Sequence, residues 1–252
     1  MSSDASREAE LISSLGALRS RLAHAAEAAG RNTADIELLP ITKFFPASDV
    51  VILWRLGCRS FGESRDQEAS AKIAEFQRAL TPAGEPESVR WHMVGQIQSK
   101  KAKHVAGWAD TVHSVSTAKV VAALDRGAAQ ALAEGRRSSP IRVFVQISLD
   151  GDTERGGVDI GDPAGVDAIC AQVAEADGLR LAGLMAIPPV GADPDTAFAA
   201  LAGEHRRVLR THPAATELSA GMSGDLEAAV RHGSTCVRVG TALMGQRPLT
   251  SP

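Results

Sequence analysis

The apolar positions of the chain follow two alternating patterns. In the first segment they recur every three or four residues, which predicts an amphipathic helix from about Arg7 to Ala29. After it, short runs rich in β-branched residues alternate with alanine-rich segments of helical spacing. The predicted strands cover 36–42, 59–63, 90–95, 111–115, 141–148, 181–187, 217–222 and 236–243. The predicted helices cover 48–57, 66–80, 97–107, 117–135, 163–176, 195–210 and 224–232.

A strand followed by a helix, repeated seven times and closed by an eighth strand, predicts a parallel sheet with helical crossovers. Eight is the number of strands that closes a TIM-type (β/α)8 barrel, here preceded by the N-terminal helix. An open, doubly wound sheet is the alternative, but the even spacing of the strands favours the barrel. No linker divides the chain, so we expect one α/β domain over 7–247, with flexible termini at 1–6 and 248–252. The segments 81–88 and 149–161 are predicted to be loops.

Composition excludes several classes of function. The chain has 27 Lys and Arg against 30 Asp and Glu, and so it lacks the positive charge of a general nucleic-acid binder. It has neither a signal peptide nor about 18 consecutive apolar residues, so we expect a cytoplasmic protein without a membrane partner. Its three cysteines form no CxxC pair, which argues against a disulfide framework and a zinc site.

Lys43 is the first candidate for chemistry. In a barrel, the residues at the carboxyl ends of the strands face the active site, and Lys43 directly follows the first predicted strand. Burial there would lower the pKa of its amine and make it a nucleophile that can form a Schiff base with an aldehyde. The alternative is a solvated lysine at the mouth of the strand.

The last two strands lead into a second candidate site. Gly221–Asp225 follows the seventh predicted strand, and Arg238–Thr241 ends the eighth. The loops after these strands form the recurrent phosphate site of TIM barrels, since glycines and helix N-termini present free N–H groups there. Taken alone, Ser223 could be only a helix N-cap, and Gly240 only a turn residue.

Together, a lysine that traps aldehydes and a phosphate cradle indicate pyridoxal 5′-phosphate (PLP), which is a phosphorylated aldehyde. A phosphate-binding barrel without a cofactor, such as an aldolase, is the alternative. No spacing of potential ligands predicts a metal site.

The same residues carry a resemblance to a known family. The stretches are LLPITKFFP around Lys43, FGESRDQEA at 61–69, WHMVGQIQSKK at 91–101 and LSAGMSGDLEAAVRHGSTCVRVGTALMGQR at 218–247. From about residue 8 to 247 the chain resembles the pyridoxal phosphate homeostasis proteins. The single domain of these proteins is similar to the barrel domain of alanine racemase.

The resemblance implies a function and a set of ligand contacts. It implies a PLP-binding protein of intracellular PLP homeostasis, without established catalytic turnover, in which Lys43 holds PLP as a Schiff base. A single barrel domain also fits a monomer, which would pass PLP to apo forms of PLP-dependent enzymes. The other implied contacts are Ser223, Gly240 and Thr241 to the phosphate, backbone groups near Met222 and Gly224, Arg238 to the pyridine nitrogen, and His92 and Ser64 to the ring.

The chain departs from the family pattern at a few positions. Ser64 stands where the family has asparagine, Arg65 where it often has tyrosine, and Thr42 where it often has serine. Serine reaches less far than asparagine and offers fewer donors, which weakens the implied ring contact of Ser64. Ser99-Lys100-Lys101 replaces the common Ser-Asn-Lys.

A weak PLP-dependent amino-acid racemase is the alternative function. A guanidinium only donates, so Arg238 would leave the pyridine nitrogen unprotonated and the ring a poor electron sink. Racemisation of the alanine racemase type uses a lysine and a tyrosine, the latter from a second domain. The sequence ends soon after its eighth predicted strand and contains no tyrosine. His92 or His113 would have to replace that base, so the sequence favours a carrier.

Overall fold

The computed structural model describes residues 2–80 and 89–246. Its strands are β1 (Glu37–Pro40), β2 (Ser60–Glu63), β3 (Arg90–Met93), β4 (Thr111–Val115), β5 (Ile141–Ser148), β6 (Val158–Asp159), β7 (Leu179–Ala186), β8 (Glu217–Ser219) and β9 (Cys236–Val239). Its helices are α1 (Ser2–Ala28), α2 (Ala47–Arg55), α3 (Asp66–Leu80), α4 (Ala102–Trp108), α5 (Ala118–Ala133), α6 (Pro163–Ala174), α7 (Pro194–Val208), α8 (Leu226–Arg231) and α9 (Thr241–Met244). Short 3-10 helices cover Thr33–Asp35, Ser99–Lys101 and Thr153–Arg155.

Eight parallel strands form a barrel in the order β1-β9-β8-β7-β5-β4-β3-β2. The two ends of this order meet at a parallel bridge between Ile41 and Gly62, where the Thr42 N–H donates to the Gly62 carbonyl over 3.0 Å. The predicted TIM-type barrel is therefore confirmed, and the open sheet is wrong. The predicted loop 149–161 contains β6, which pairs with the end of β5 outside the barrel.

The main core lies between the sheet and the helices, because each crossover helix presents an apolar face to the strands. In α5, for example, Val121, Leu124 and Ala128 are buried at helical spacing. Smaller apolar groups, such as Phe144 with Ala182 and Met185, form separate clusters. Among the described residues, no helix is both long and apolar enough to span a membrane.

The predicted N-terminal helix is present as α1, and its leucines are buried as their spacing predicts. α1 begins at Ser2 rather than at Arg7. Residues 2–6, which lie in the segment expected to be flexible, are therefore helical, and their flexibility stays a prediction. Arg7 ties the helix to the barrel by donating to Asp49 and to the Met244 carbonyl. The segments predicted as a loop at 81–88 and as a flexible tail at 248–252 lie outside the described residues.

Candidate functional site

Lys43 lies in the turn between β1 and α2. Its side chain is half-buried, and Nζ lies 5.9 Å from the centroid of the Phe44 ring. Phe44 has a φ of 70°, a left-handed conformation that is unusual for a bulky residue. Tertiary contacts rather than local preference must therefore hold this turn.

The turns after β1, β8 and β9 lie side by side. β1 pairs with β9, and the Ile41 N–H donates to the Val239 carbonyl over 2.9 Å. The Ala242 N–H, after β9, donates to Ser223 Oγ, after β8, over 3.3 Å. Both turns of the predicted phosphate site thus meet at the barrel edge where Lys43 leaves β1.

These turns expose free backbone donors. Within residues 2–80 and 89–246, no hydrogen-bond acceptor faces the backbone N–H groups of Ser223, Gly224, Gly240 and Thr241. A Cβ at position 224 would meet no atom within 4 Å, so open space adjoins the turn there. Unpaired amides on adjacent turns are the donors that bind phosphate oxygens.

The turn after β8 is tightly shaped. Gly221 has a φ of 91°, and a Cβ there would lie 2.5 Å from the Ala229 Cβ, so only glycine fits. The Met222 N–H already donates to Asp225 Oδ1 over 2.6 Å, so this backbone donor of the predicted site is occupied. Arg21 of α1 donates to the Ser223 carbonyl over 2.7 Å and supports the turn from outside.

A chain of four buried polar side chains crosses the barrel interior. Arg238 Nη1 donates to Ser219 Oγ, which lies 2.9 Å from His113 Nδ1. His113 Nε2 in turn lies 2.9 Å from His92 Nδ1. Since β4 and β8 are not neighbours in the sheet, the contact between His113 and Ser219 must run through the interior.

Burial keeps both histidines neutral. It lowers the pKa of His92 to about 4 and the pKa of His113 well below its usual value. Arg238 can only donate, so the Ser219 hydroxyl accepts from it and donates a hydrogen bond to His113 Nδ1. The His113 Nε2–H then donates to His92 Nδ1. In the reverse direction the Ser219 hydroxyl would have to donate to the Cys236 sulfur, which is a weak acceptor. His92 Nε2 is then a buried N–H donor with no partner among the described residues.

Arg238 is a buried cation without a carboxylate partner in the described part of the chain. Its Nη2 donates to the Ala186 carbonyl over 3.0 Å, and burial lowers the pKa of the guanidinium. The charge of Asp225 acts on Arg238 without forming an ion pair. A buried cation without an ion-pair partner costs stability, which indicates a role other than stabilising the fold. A donor of this kind suits an uncharged ring nitrogen.

Ser64 lies in a cleft that the turns after β8 and β9 do not line. It follows β2 and lines a cleft of about 760 Å³ together with Phe44 and Arg65. The next loop approaches it closely, because a Cβ at Gly95 would lie 2.1 Å from the Ser64 carbonyl oxygen.

Comparisons with known proteins identify the family of the chain. The profile of the family described as "Alanine racemase, N-terminal domain" matches residues 13–248. The pyridoxal phosphate homeostasis protein of Mycobacterium tuberculosis strain H37Rv is 63% identical over 248 residues, which are 98% of this chain and 96% of that protein. The chain belongs to the pyridoxal phosphate homeostasis protein family. Its Escherichia coli K12 member is 34% identical over 245 residues, or 94% of this chain and 97% of that one.

A solved structure links the same barrel to the cofactor. PipY of Synechococcus elongatus PCC7942, solved with PLP bound, aligns with a TM-score of 0.76 and 31% identity. The alignment covers 93% of this chain and all of PipY. The residues of this homeostasis-family chain fit PLP, because free amides and a buried guanidinium without an ion-pair partner are both present.

Sequence reasoning missed three residues around Lys43. Lys72 of α3 is buried against Glu63 of β2, and Glu68 joins them. The signal was available, because helical spacing places Lys72 on the same face of α3 as the buried Ala69 and Phe76. A lysine on a core-facing stripe requires a partner.

Proposed function

We propose that this chain binds PLP, holds it as a Schiff base on Lys43 and serves PLP homeostasis as a carrier. The observation that carries the proposal is the group of free amides on the turns after β8 and β9, beside the edge where Lys43 emerges. PLP bound to PipY and the names of the relatives support the choice of ligand. Apo forms of PLP-dependent enzymes would be the recipients, and the carrier would act as a monomer.

Each residue would have a distinct task. When bound, PLP supplies a reactive aldehyde. The amine of Lys43 would add to the aldehyde carbon with loss of the carbonyl oxygen as water, and the reverse hydrolysis would free the amine again. The amides of Ser223, Gly224, Gly240 and Thr241 donate to phosphate oxygens. Because formation of the Schiff base on Lys43 is reversible, it suits the storage and release of PLP.

The polar chain in the interior would control the ring. Arg238 donates to the pyridine nitrogen and so keeps it unprotonated, which limits the use of the ring as an electron sink. His92 would line the ring, as the resemblance to the family implies. This arrangement favours holding the cofactor over chemistry on amino acids.

Covalent trapping tests the proposal. We expect the purified protein mixed with PLP to develop an imine absorbance band that borohydride reduction bleaches. Peptide mass spectrometry should then find the reduced PLP adduct on the peptide that contains Lys43. An adduct on another lysine, such as Lys101 of the Ser64 cleft or the buried Lys72, with Lys43 unmodified would contradict the proposal.

The racemase alternative predicts a different result. The test incubates the PLP-loaded protein with L-alanine in deuterated water, beside an alanine racemase as the reference. We expect deuteration at the α-carbon to stay far slower than with the racemase. The reason is that the chain has no tyrosine and that both interior histidines are engaged in the polar chain. Deuteration at racemase-like rates would overturn the carrier function.

A further inference from the structure

Lys72 reaches from α3 to the backbone beneath the Lys43 turn. Its side chain is only 5% exposed. Nζ lies 2.8 Å from the Thr42 carbonyl oxygen, 2.6 Å from Glu63 Oε1 and 3.2 Å from Glu68 Oε1. An ammonium has three donors, so this lysine is fully engaged.

The same cluster also hydrogen-bonds the backbone on the carboxyl side of Lys43. Glu68 Oε1 accepts the backbone N–H of Phe44, and Glu63 Oε1 accepts the Thr42 hydroxyl over 2.6 Å. The peptide carbonyl before Lys43 and the peptide N–H after it are therefore both bonded to one ion-pair cluster. Phe44, with its φ of 70°, is the residue that most needs such support.

Stability alone does not explain a charged cluster at this place. Glu63 is completely buried, and burial raises the pKa of its carboxyl despite the Lys72 ammonium. Buried ion pairs are often no more stabilising than apolar side chains of similar volume, and the buried face of α3 is otherwise apolar. The placement around a strained turn, next to the reactive amine, indicates a positional role.

We propose that Lys72, Glu63 and Glu68 are positioning residues that hold the backbone on both sides of Lys43 and so aim its amine at the ligand. The inference rests on the proposed function of Lys43. None of the three touches the reacting atoms. The clamp, by which we mean these three residues, preorganises the turn before the ligand arrives.

Two variants remove the clamp in different ways. Glu68→Ala deletes the acceptor of the Phe44 N–H, and Glu68 is 26% exposed, so the fold should survive. The double variant Lys72→Met with Glu63→Gln removes the buried pair without leaving a lone charge. Glu68→Gln is the conservative variant, because its amide oxygen can still accept from Phe44.

The control is Glu217→Ala. Glu217 is 30% exposed and paired with Arg142, so it matches Glu68 in exposure and pairing, but it lies at the amino end of β8, away from Lys43. Its loss should lower the midpoint of thermal unfolding without changing the reactivity of Lys43.

The readouts are the rate of imine formation with PLP, the site of borohydride trapping and the thermal midpoint. We expect Glu68→Ala and the double variant to form the Lys43 adduct about 10- to 100-fold more slowly than wild type, a cost typical of a misplaced reacting group. Glu68→Gln should recover most of that rate. A folded Glu68→Ala protein with the rate of wild type would overturn the clamp, as would an equal loss of rate in Glu217→Ala.

A ligand-free readout separates this inference from the proposed function. Reductive methylation of the unloaded protein with formaldehyde, followed by peptide mass spectrometry, reports the reactivity of the Lys43 amine alone. We expect this reactivity to change in Glu68→Ala and to stay unchanged in Glu217→Ala. If wild type traps no PLP on Lys43, the proposed function fails. If methylation of Lys43 is the same in wild type and Glu68→Ala, the clamp fails.

Discussion

Lowering the pH from 7 to 5 is expected to remove about 4 kcal/mol of unfolding free energy through His92 and His113, roughly 2 from each. Burial lowers the pKa of His92 to about 4 and that of His113 well below 6.5. Below pH 6.5 both histidines therefore bind protons in the unfolded chain while they remain neutral in the folded chain. This contribution is fully present above pH 6.5 and is lost as the pH falls toward the folded-state pKa values. The loss is large for a domain whose stability is of the order of 10 kcal/mol.

Urea unfolding at both pH values, in wild type and in a His92→Gln/His113→Gln double variant, measures this contribution. Glutamine keeps polar atoms in the interior chain but does not titrate. The double variant should therefore lose less unfolding free energy between pH 7 and pH 5 than wild type. The difference between the two proteins cancels the other groups, including Glu63, whose raised pKa acts in the opposite direction. Equal pH dependence of both proteins would contradict neutral, buried histidines.

Ser223→Asp is expected to weaken PLP binding about 100-fold or more, because like charges brought together at a binding site cost several kcal/mol. Position 223 lies at the meeting point of the two turns that present free amides. A carboxylate there would repel the phosphate and compete for the same donors.

Ser223→Asn is the matched control, since asparagine has the shape of aspartate without its charge. Equilibrium titration with PLP should show a much smaller loss for Asn than for Asp. Inorganic phosphate should compete with PLP in wild type and in Ser223→Asn. If Asp and Asn weaken binding equally, shape rather than charge explains the effect and the phosphate would not lie at these turns.

Periodicity alone predicted most of the architecture. Short apolar runs that alternate with segments of helical spacing predicted all eight barrel strands. The strands predicted at 217–222 and 236–243 end earlier in the structure, at Ser219 and Val239. These two strands stop where glycines begin the turns, since a Gly221 at positive φ cannot continue a regular strand. Strand order places the turns after the last two strands beside the Lys43 turn, as the prediction of one site at the carboxyl ends of the barrel strands required.

The sequence by itself thus determined the barrel, the N-terminal helix and the residues around which a PLP site can be built, because periodicity and strand-end position are local properties of the chain. Only the tertiary structure decided which polar side chains meet. Ser219 and His113 are 106 positions apart and come together across the barrel interior. Lys72 joins Thr42 of the Lys43 turn to Glu63 of β2 and Glu68 of α3. Such contacts depend on barrel closure and on the burial of charge, and the pattern of a short segment predicts neither of them.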